Sequence, residues 1–237
     1  MQNILEIYKN DNAQHANTFA AFLKNNYRVL YSDENNYLLF DSKTKEHIAY
    51  FTDAEIAEKI FKKHFPDEIF YCLTIQDKDS LSIVNKLFKI KEYDTFLQGV
   101  IRSPRRVEKK LKIKYATMEN KDEIYEKSYE FDEELLIKLI NNYRLAIARN
   151  DKEELVGYIA INDNDAIDYL YVFPEFRRKG YGTELLCHMI SVCLKNDKLA
   201  YFQVPENCLG VINLLKKLGI RLPKKVYKFY KFYEELT

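Results

Sequence analysis

Arg177, Arg178 and Lys179 stand in a row before Gly180 and Gly182, in the stretch FPEFRRKGYGTELL (173–186) of a 237-residue chain with only six glycines. Apolar AIDYLYVF (166–173) supplies a strand ahead of it, Pro174 ends that strand, and Leu185, Leu186, Met189, Ile190 and Cys193 recur behind it at helical spacing. The glycines therefore fall in a strand-to-helix turn. A helix start carries unpaired N–H groups and the positive end of the peptide dipoles, which together make a cradle for a phosphate. Glycine omits the Cβ that would hold an anion away from those N–H groups, and the three cations add charge where it counts most. A P-loop needs G-x-x-x-x-G-K-[ST], and a dinucleotide turn needs a third glycine where Leu185 stands. The spacing present is R-x-x-G-x-G, Arg177 to Gly182.

Positioning this turn requires a mixed α/β framework. Ala16, Phe19, Ala20 and Leu23 predict an amphipathic helix within residues 11–25, with Asp11 as its cap. YLLFDSKTKEHIAYF (37–51) reads as a hairpin, followed by a helix at 53–64, a strand at 69–75, a helix at 79–89 and a strand at 93–101. RSPRRVEKKLKIK (102–114) is dense in cations, contains Pro104 and reads as a solvated linker, which places the division between two domains near residue 110. Beyond it come a helical region at 118–141, strands at 143–149, 154–161 and 166–173, a helix at 180–195, a strand at 198–204, a helix at 207–218 and a strand near 225–232. The two halves also align without gaps. LLFDSKTKEHIAYF (38–51) matches AIARNDKEELVGYI (146–159), and IFYCLTIQDKDSLSIVNKLFKI (69–90) matches LAYFQVPENCLGVINLLKKLGI (199–220). The segment between the matched blocks is longer in the second half and holds the glycine turn.

Composition bounds the rest. An apolar fraction of 47% is ample for buried cores, and 37 basic against 36 acidic residues give no general case for a nucleic-acid or membrane partner. Cys72, Cys187, Cys193 and Cys208 show no paired spacing and the four histidines are scattered, so free thiols and no metal site are expected. No leader pattern and no apolar run of about 18 residues occurs, which points to a cytoplasmic protein. LPKKVYKFYKFYEE (222–235) interleaves cations and aromatics, but reads more simply as an edge strand guarded by lysines than as a nucleic-acid face.

At LYVFPEFRRKGYGTELL, and again at FQVPENCLGVINLLKKLGI (202–220), the sequence resembles the GNAT superfamily of acyl-CoA N-acyltransferases over roughly residues 113–237. The resemblance implies two GNAT-like mixed-sheet domains in tandem, 1–110 degenerate and truncated and 111–237 complete. It implies acetyl-CoA as co-substrate, an amine acceptor attacked in a ternary complex, and no metal; a homodimer is compatible with it. It assigns Arg177, Arg178, Lys179, Gly180, Tyr181, Gly182 and Thr183 to the pyrophosphate, the backbone of Tyr171 and Val172 to the pantetheine arm between two splayed parallel strands, and Asn207 to its far side. For Asn207 the plainer reading is a cap on the following helix. The oxyanion falls to the N–H of Val172 or a near neighbour.

For the base, Asp168 stands on the face of Leu170 and Val172 by the period of two, with Glu175 as second candidate beside Arg177 and Arg178, where a salt bridge is the simpler role. The family often places an acidic tyrosine where Leu215 stands here, leaving Tyr201, Tyr171 or Tyr227 to substitute. A catalytically impaired acyl-CoA-binding sensor or interaction module is therefore the alternative, and a nucleic-acid binder using the linker cations a remote third.

Overall fold

The computed structural model describes residues 2–24, 27–90, 92–103, 107–128 and 130–231, with the side chains of residues 2 and 3 left aside. By contacts the chain divides into two compact units, 1–100 with 203–207 and 222–237, and 101–202 with 208–221. Pro104 of the expected linker lies outside the described residues.

The first unit begins with α1 (Gln2–Asn10) and α2 (Ala16–Leu23), then runs through β1 (Tyr27–Ser32), β2 (Tyr37–Asp41), β3 (Glu46–Tyr50), α3 (Ala54–His64), β4 (Phe70–Ile75), α4 (Lys78–Phe88) and β5 (Asp94–Ile101). A last strand, β11 (Lys224–Lys231), enters between β4 and β5, giving the order β1-β2-β3-β4-β11-β5. Only β3 and β4 are parallel; the neighbours around them are antiparallel. Leu38, Ala49, Leu73, Ile75 and Phe229 face Phe61, Ile83, Val84 and Phe88 of α3 and α4. Leu39 and Ile48, one residue out of step, face Ile4, Ile7 and Ala21 of α1 and α2. Both faces are covered, so β2 and β3 are apolar on both sides instead of alternating.

Four expectations change here. The helix expected within residues 11–25 is α2, which starts at Ala16 with His15 as its N-cap residue, and Asp11 instead accepts the Gln14 N–H at 3.1 Å in the turn after α1. The sequence reading missed α1 and β1. β11 is no edge strand: it is paired on both sides, and Lys224, Lys225, Lys228 and Lys231 are each ion-paired, with Asp11, Glu206, Glu46 and Glu68. Its position also explains why the first unit takes the C-terminal segment that a division near residue 110 gives to the second.

A polar knot is buried where α2 meets this sheet. His15, 2% exposed, has its Nδ1 2.6 Å from the Tyr37 hydroxyl and 2.9 Å from Gln76 Oε1. Tyr37 donates to Gln76 Oε1 at 2.6 Å and lies 2.9 Å from Thr18 Oγ1. Burial pushes the imidazole down from 6.5 to about 4, against the Gln76 hydrogen bond and the Asp11 charge, which both raise it. The unfolded chain therefore takes up this proton first as pH falls. Stability is full above about 6.5 and drains away towards pH 4, by roughly 3 kcal/mol from this group. Urea unfolding at pH 7 and pH 4.5 is expected to show that loss, and His15→Asn to lessen the difference; equal stability at the two pH values in the wild type would contradict it.

The second unit opens with β6 (Lys112–Tyr115), α5 (Lys121–Lys127) and α6 (Glu133–Asn141), the last capped by Asp132, which accepts the Leu135 N–H at 2.7 Å. There follow β7 (Leu145–Arg149), β8 (Leu155–Ile161), β9 (Ile167–Val172), α7 (Tyr181–Lys195), β10 (Ala200–Pro205), of which residues 203–205 count with the first unit, and α8 (Leu209–Lys217). β6, β7, β8 and β9 pair antiparallel in sequence, and β10 joins β9 in parallel at Phe202↔Ile167. The expected linker is thus partly a strand. Just ahead of β6, the N–H groups of Lys110 and Leu111 are held by Glu184 of α7, a buried carboxylate 2.9–3.0 Å from them.

From α1 and again from α5 the elements run α-α-β-β-β-α-β-α-β, and in both the third of the three consecutive strands is antiparallel to the second and parallel to the fourth. This corrects the sequence alignment by one strand. The matched block 38–51 covers β2 and β3, whose topological counterparts are β8 and β9, not the β7 and β8 of 146–159. The blocks 69–90 and 199–220 do fall on equivalent elements, β4–α4 and β10–α8.

Candidate functional site

The turn between β9 and α7 is built from Phe173 to Gly180, with one 3-10 turn at Pro174–Phe176. Arg178 has φ +68 and Gly180 φ +88, so the chain reverses through two left-handed residues before the helix. A left-handed arginine is a costly choice kept where the surroundings fix it, commonly at a functional site. Gly180 is the N-cap residue of α7, and no side chain caps the helix. Glu184 makes the first intrahelical bond, to the Gly180 carbonyl at 3.2 Å, which leaves Tyr181, Gly182 and Thr183 as the uncapped first turn. A Cβ placed on Gly180 would meet nothing within 4 Å, so the corner is open. Arg178, Lys179 and Gly180 are exposed.

Arg177 is turned back onto the strand. Its Nε donates to the Val172 carbonyl at 2.9 Å and its guanidinium lies 5.3 Å from the Tyr171 ring, so it ties the turn back to β9. Lys179 lies 5.5 Å from the Phe176 ring. Phe173 donates its N–H to Val156 across in β8. Backbone groups alternate along a strand, so the N–H and carbonyl of Val172 point away from β8. The carbonyl is taken by Arg177, and the N–H is what Val172 can offer a ligand.

β9 carries an irregularity that sequence periodicity could not show. Tyr158 pairs with Tyr171 and Ala160 with Asp168, so Ile159 alone faces both Tyr169 and Leu170, and Tyr169 has φ +50. Such a bulge reverses the side-chain alternation. Asp168 therefore shares its face with Tyr171 and Tyr158, on the side of α5 and α6, and not with Leu170 and Val172 as the period of two suggests. Val172 lies on the other face, against Gly182 of α7, where a Cβ on Gly182 would sit 3.5 Å from Val172 Cγ2.

On the α5–α6 face the side chains gather around Tyr158. Its buried hydroxyl lies 2.7 Å from Ser128 Oγ and donates to Glu130 Oε2 at 3.0 Å, and its ring stacks on Tyr171 at 5.6 Å. Glu130 lies in an exposed turn, but its carboxyl turns inward. Burial of that carboxyl first, and the charge of Asp168 second, raise its affinity for a proton, while the Tyr158 hydrogen bond opposes them. Burial and then Asp168 push the Tyr169 hydroxyl up to about 12. Asp168 accepts the Tyr169 N–H at 2.8 Å and Asn162 Nδ2 at 3.1 Å. Ser128, Glu130 and Tyr158 were not picked out from sequence, because no spacing rule joins a turn between helices to a strand nearly 30 positions on.

The remaining candidates separate. Glu175 is exposed in the 3-10 turn and, among the described residues, forms no ion pair, so the expected bridge to Arg177 and Arg178 is not made; Arg177 is turned to Val172 instead. Asn207 is exposed and stands one residue before the N-cap position of α8, which Cys208 holds without a side-chain cap bond. The capping role read from sequence is therefore absent. Tyr201 gives its hydroxyl to the Asn164 carbonyl, and Tyr227 belongs to the first unit, against Tyr93. Leu215 is fully buried in α8. Among the described residues no group of three His, Cys, Asp or Glu is placed to hold a metal ion, and no helix is long and apolar enough to cross a membrane.

Residues 112–220, which carry the whole of this turn, match the model of the acetyltransferase (GNAT) family. This part of the chain is a GNAT domain. Solved structures share the wider fold at low identity. A Drosophila protein superposes with a TM-score of 0.68 at 13% identity, covering 97% of this chain and 95% of its own. A GNAT-family acetyltransferase from Colwellia psychrerythraea gives 0.58 at 8% identity, covering 92% and 96%, and a GCN5-related N-acetyltransferase from Kribbella flavida gives 0.54 at 14%, covering 94% and 97%. At these identities the likeness is one of fold, and it extends beyond the GNAT domain over the first unit as well. No curated protein matches the sequence.

Proposed function

We propose that the protein transfers an acetyl group from acetyl-CoA to an amine, the second unit doing the chemistry and the first being a degenerate relative that lacks the phosphate turn. The observation that carries this reading is the open, uncapped first turn of α7 behind Arg178 and Lys179. The N–H groups of Tyr181, Gly182 and Thr183 hold the diphosphate there, with Arg178 and Lys179 supplying charge and Gly180 the room. The Val172 N–H faces the thioester as oxyanion donor, and Tyr171 lends backbone to the pantetheine arm. Among the described residues Tyr171 and Tyr227 both keep hydroxyls without a hydrogen-bond partner, and Tyr171 is the one in the second unit, which makes it the acid. The thioester supplies an activated acyl carbon and a thiolate that leaves readily.

The equivalent corner of the first unit supports a single site. α3 is the α-helix that follows the third strand, as α7 is in the second unit, but Asp53 caps it, accepting the N–H groups of Glu55 and Ile56 at 2.8 and 3.0 Å. A carboxylate already fills the place a phosphate would take. Isothermal titration with acetyl-CoA is expected to give one site per chain. No binding would overturn the reading, and two equal sites would overturn the role given to Asp53. Full affinity without thiol release over a broad amine panel would favour a coenzyme-holding module.

A further inference from the structure

We infer that Glu130 is the group that takes the proton from the acceptor amine, with Tyr158 and Ser128 holding it in position; this rests on the transferase reading above. Buried Ser128 and Tyr158 fix the hydroxyl that donates to Glu130 from beneath, while Glu130 itself stands in an exposed turn. A reacting carboxylate needs that combination of a held donor and an open approach. Contacts already described connect it to the turn: Glu130 to Tyr158, Tyr158 to Tyr171, Tyr171 to Arg177, and Arg177 to the Val172 carbonyl.

Asp168 suits the task less well, because both of its oxygens hold donors, from Tyr169 and Asn162. Its charge instead strengthens Glu130 as a base, as burial does. The other titratable groups facing this corner are Tyr158 of β8, Tyr169 and Tyr171 of β9, Asp163 in the turn between β8 and β9, and Asp132 at the start of α6. Among the described residues no cation pairs with Glu130; nearby Lys127 is turned to Glu123 at 3.9 Å and to the Phe173 ring at 5.7 Å.

The amine arrives as an ammonium ion and gives Glu130 one proton. Its freed lone pair bonds to the thioester carbonyl carbon, the C–S bond breaks, and the electron pair of that bond leaves on sulfur. The second proton lost by nitrogen reaches that sulfur through water, and Glu130 returns its own to solvent.

The test compares the wild type with Glu130→Gln, which keeps an oxygen for Tyr158, and with Tyr158→Phe. Carbon-13 NMR titration of the free protein is expected to find Glu130 above the ordinary glutamate range, and higher still in Tyr158→Phe, where the bond favouring the charged form is gone. With butylamine, tyramine and alanine amide as acceptors, thiol release from acetyl-CoA is expected to fall at least 100-fold in Glu130→Gln, with calorimetric affinity for acetyl-CoA unchanged within twofold. In Tyr158→Phe the acidic limb of the pH profile moves upward. Equal rates in Glu130→Gln, an ordinary titration of Glu130, or no amine-dependent release by a wild type that binds acetyl-CoA would each overturn the assignment. Absence of acetyl-CoA binding would instead remove the transferase reading beneath it.

Discussion

Reversing two charges, Arg178→Glu with Lys179→Glu, is expected to weaken acetyl-CoA binding by at least about 100-fold. Unit charges about 5 Å apart interact by roughly 1–3 kcal/mol at effective dielectrics between water and a protein surface. Each reversal removes one such attraction and adds one repulsion, and 100-fold corresponds to about 2.7 kcal/mol. The loss should shrink at high salt, since both side chains are exposed. Stability should hardly move, because neither side chain is buried and glutamate suffers no more than arginine from the left-handed backbone at 178. Calorimetry at low and high salt checks this. An affinity within threefold of the wild type would mean that the cations stand beside the ligand site and not in it.

The second large effect is expected from a glycine that sequence patterns do not mark. Gly157 in β8 faces the part of β9 that feeds the turn, and a Cβ there would lie 2.3 Å from the Tyr171 carbonyl oxygen and 3.0 Å from Val172 Cα. Both obstacles are backbone, so Gly157→Ala must push the two strands apart. A destabilisation of about 3 kcal/mol is expected, the upper part of the range for overpacking, seen as a lower urea midpoint. Since the displaced residues bear the Val172 N–H and the carbonyl that anchors Arg177, acetyl-CoA affinity should fall with it. Gly182→Ala is the control: its Cβ would meet Leu214 and Val172 at 3.5 Å, ordinary contact, and the fold should tolerate it. An unchanged midpoint in Gly157→Ala would show that β8 and β9 can slide, and with them the geometry assigned to Val172.

Much of this was legible from residue order. Helices with repeated apolar turns and strands bounded by Asp, Pro or Gly were placed within a few residues, and the glycine turn identified itself because Gly180 and Gly182 are rare residues doing a job of backbone shape. What escaped was either short or tertiary. α1 buries Ile4 and Ile7, too few turns for a period to stand out, and β1 is too little buried to alternate. β11 sits between two strands more than a hundred positions earlier, which no local pattern encodes. At the site, the bulge at Tyr169 moved Asp168 to the opposite face, and Glu130 came to Tyr158 only through the packing of a turn over a sheet. Distances along the chain set the turn; distances across the sheet set which carboxylates gather around Tyr158.

The insertion of β11 between β4 and β5 has a consequence for how the chain comes into being. A ribosome releases residues 1–100 long before Lys224–Lys231 exist, so the sheet of the first unit must wait, with the edges of β4 and β5 unfilled, until those residues emerge. A stop codon ahead of residue 224 would therefore harm the first unit more than the second, and cutting the gene near codon 110 would leave the upstream fragment without its closing strand.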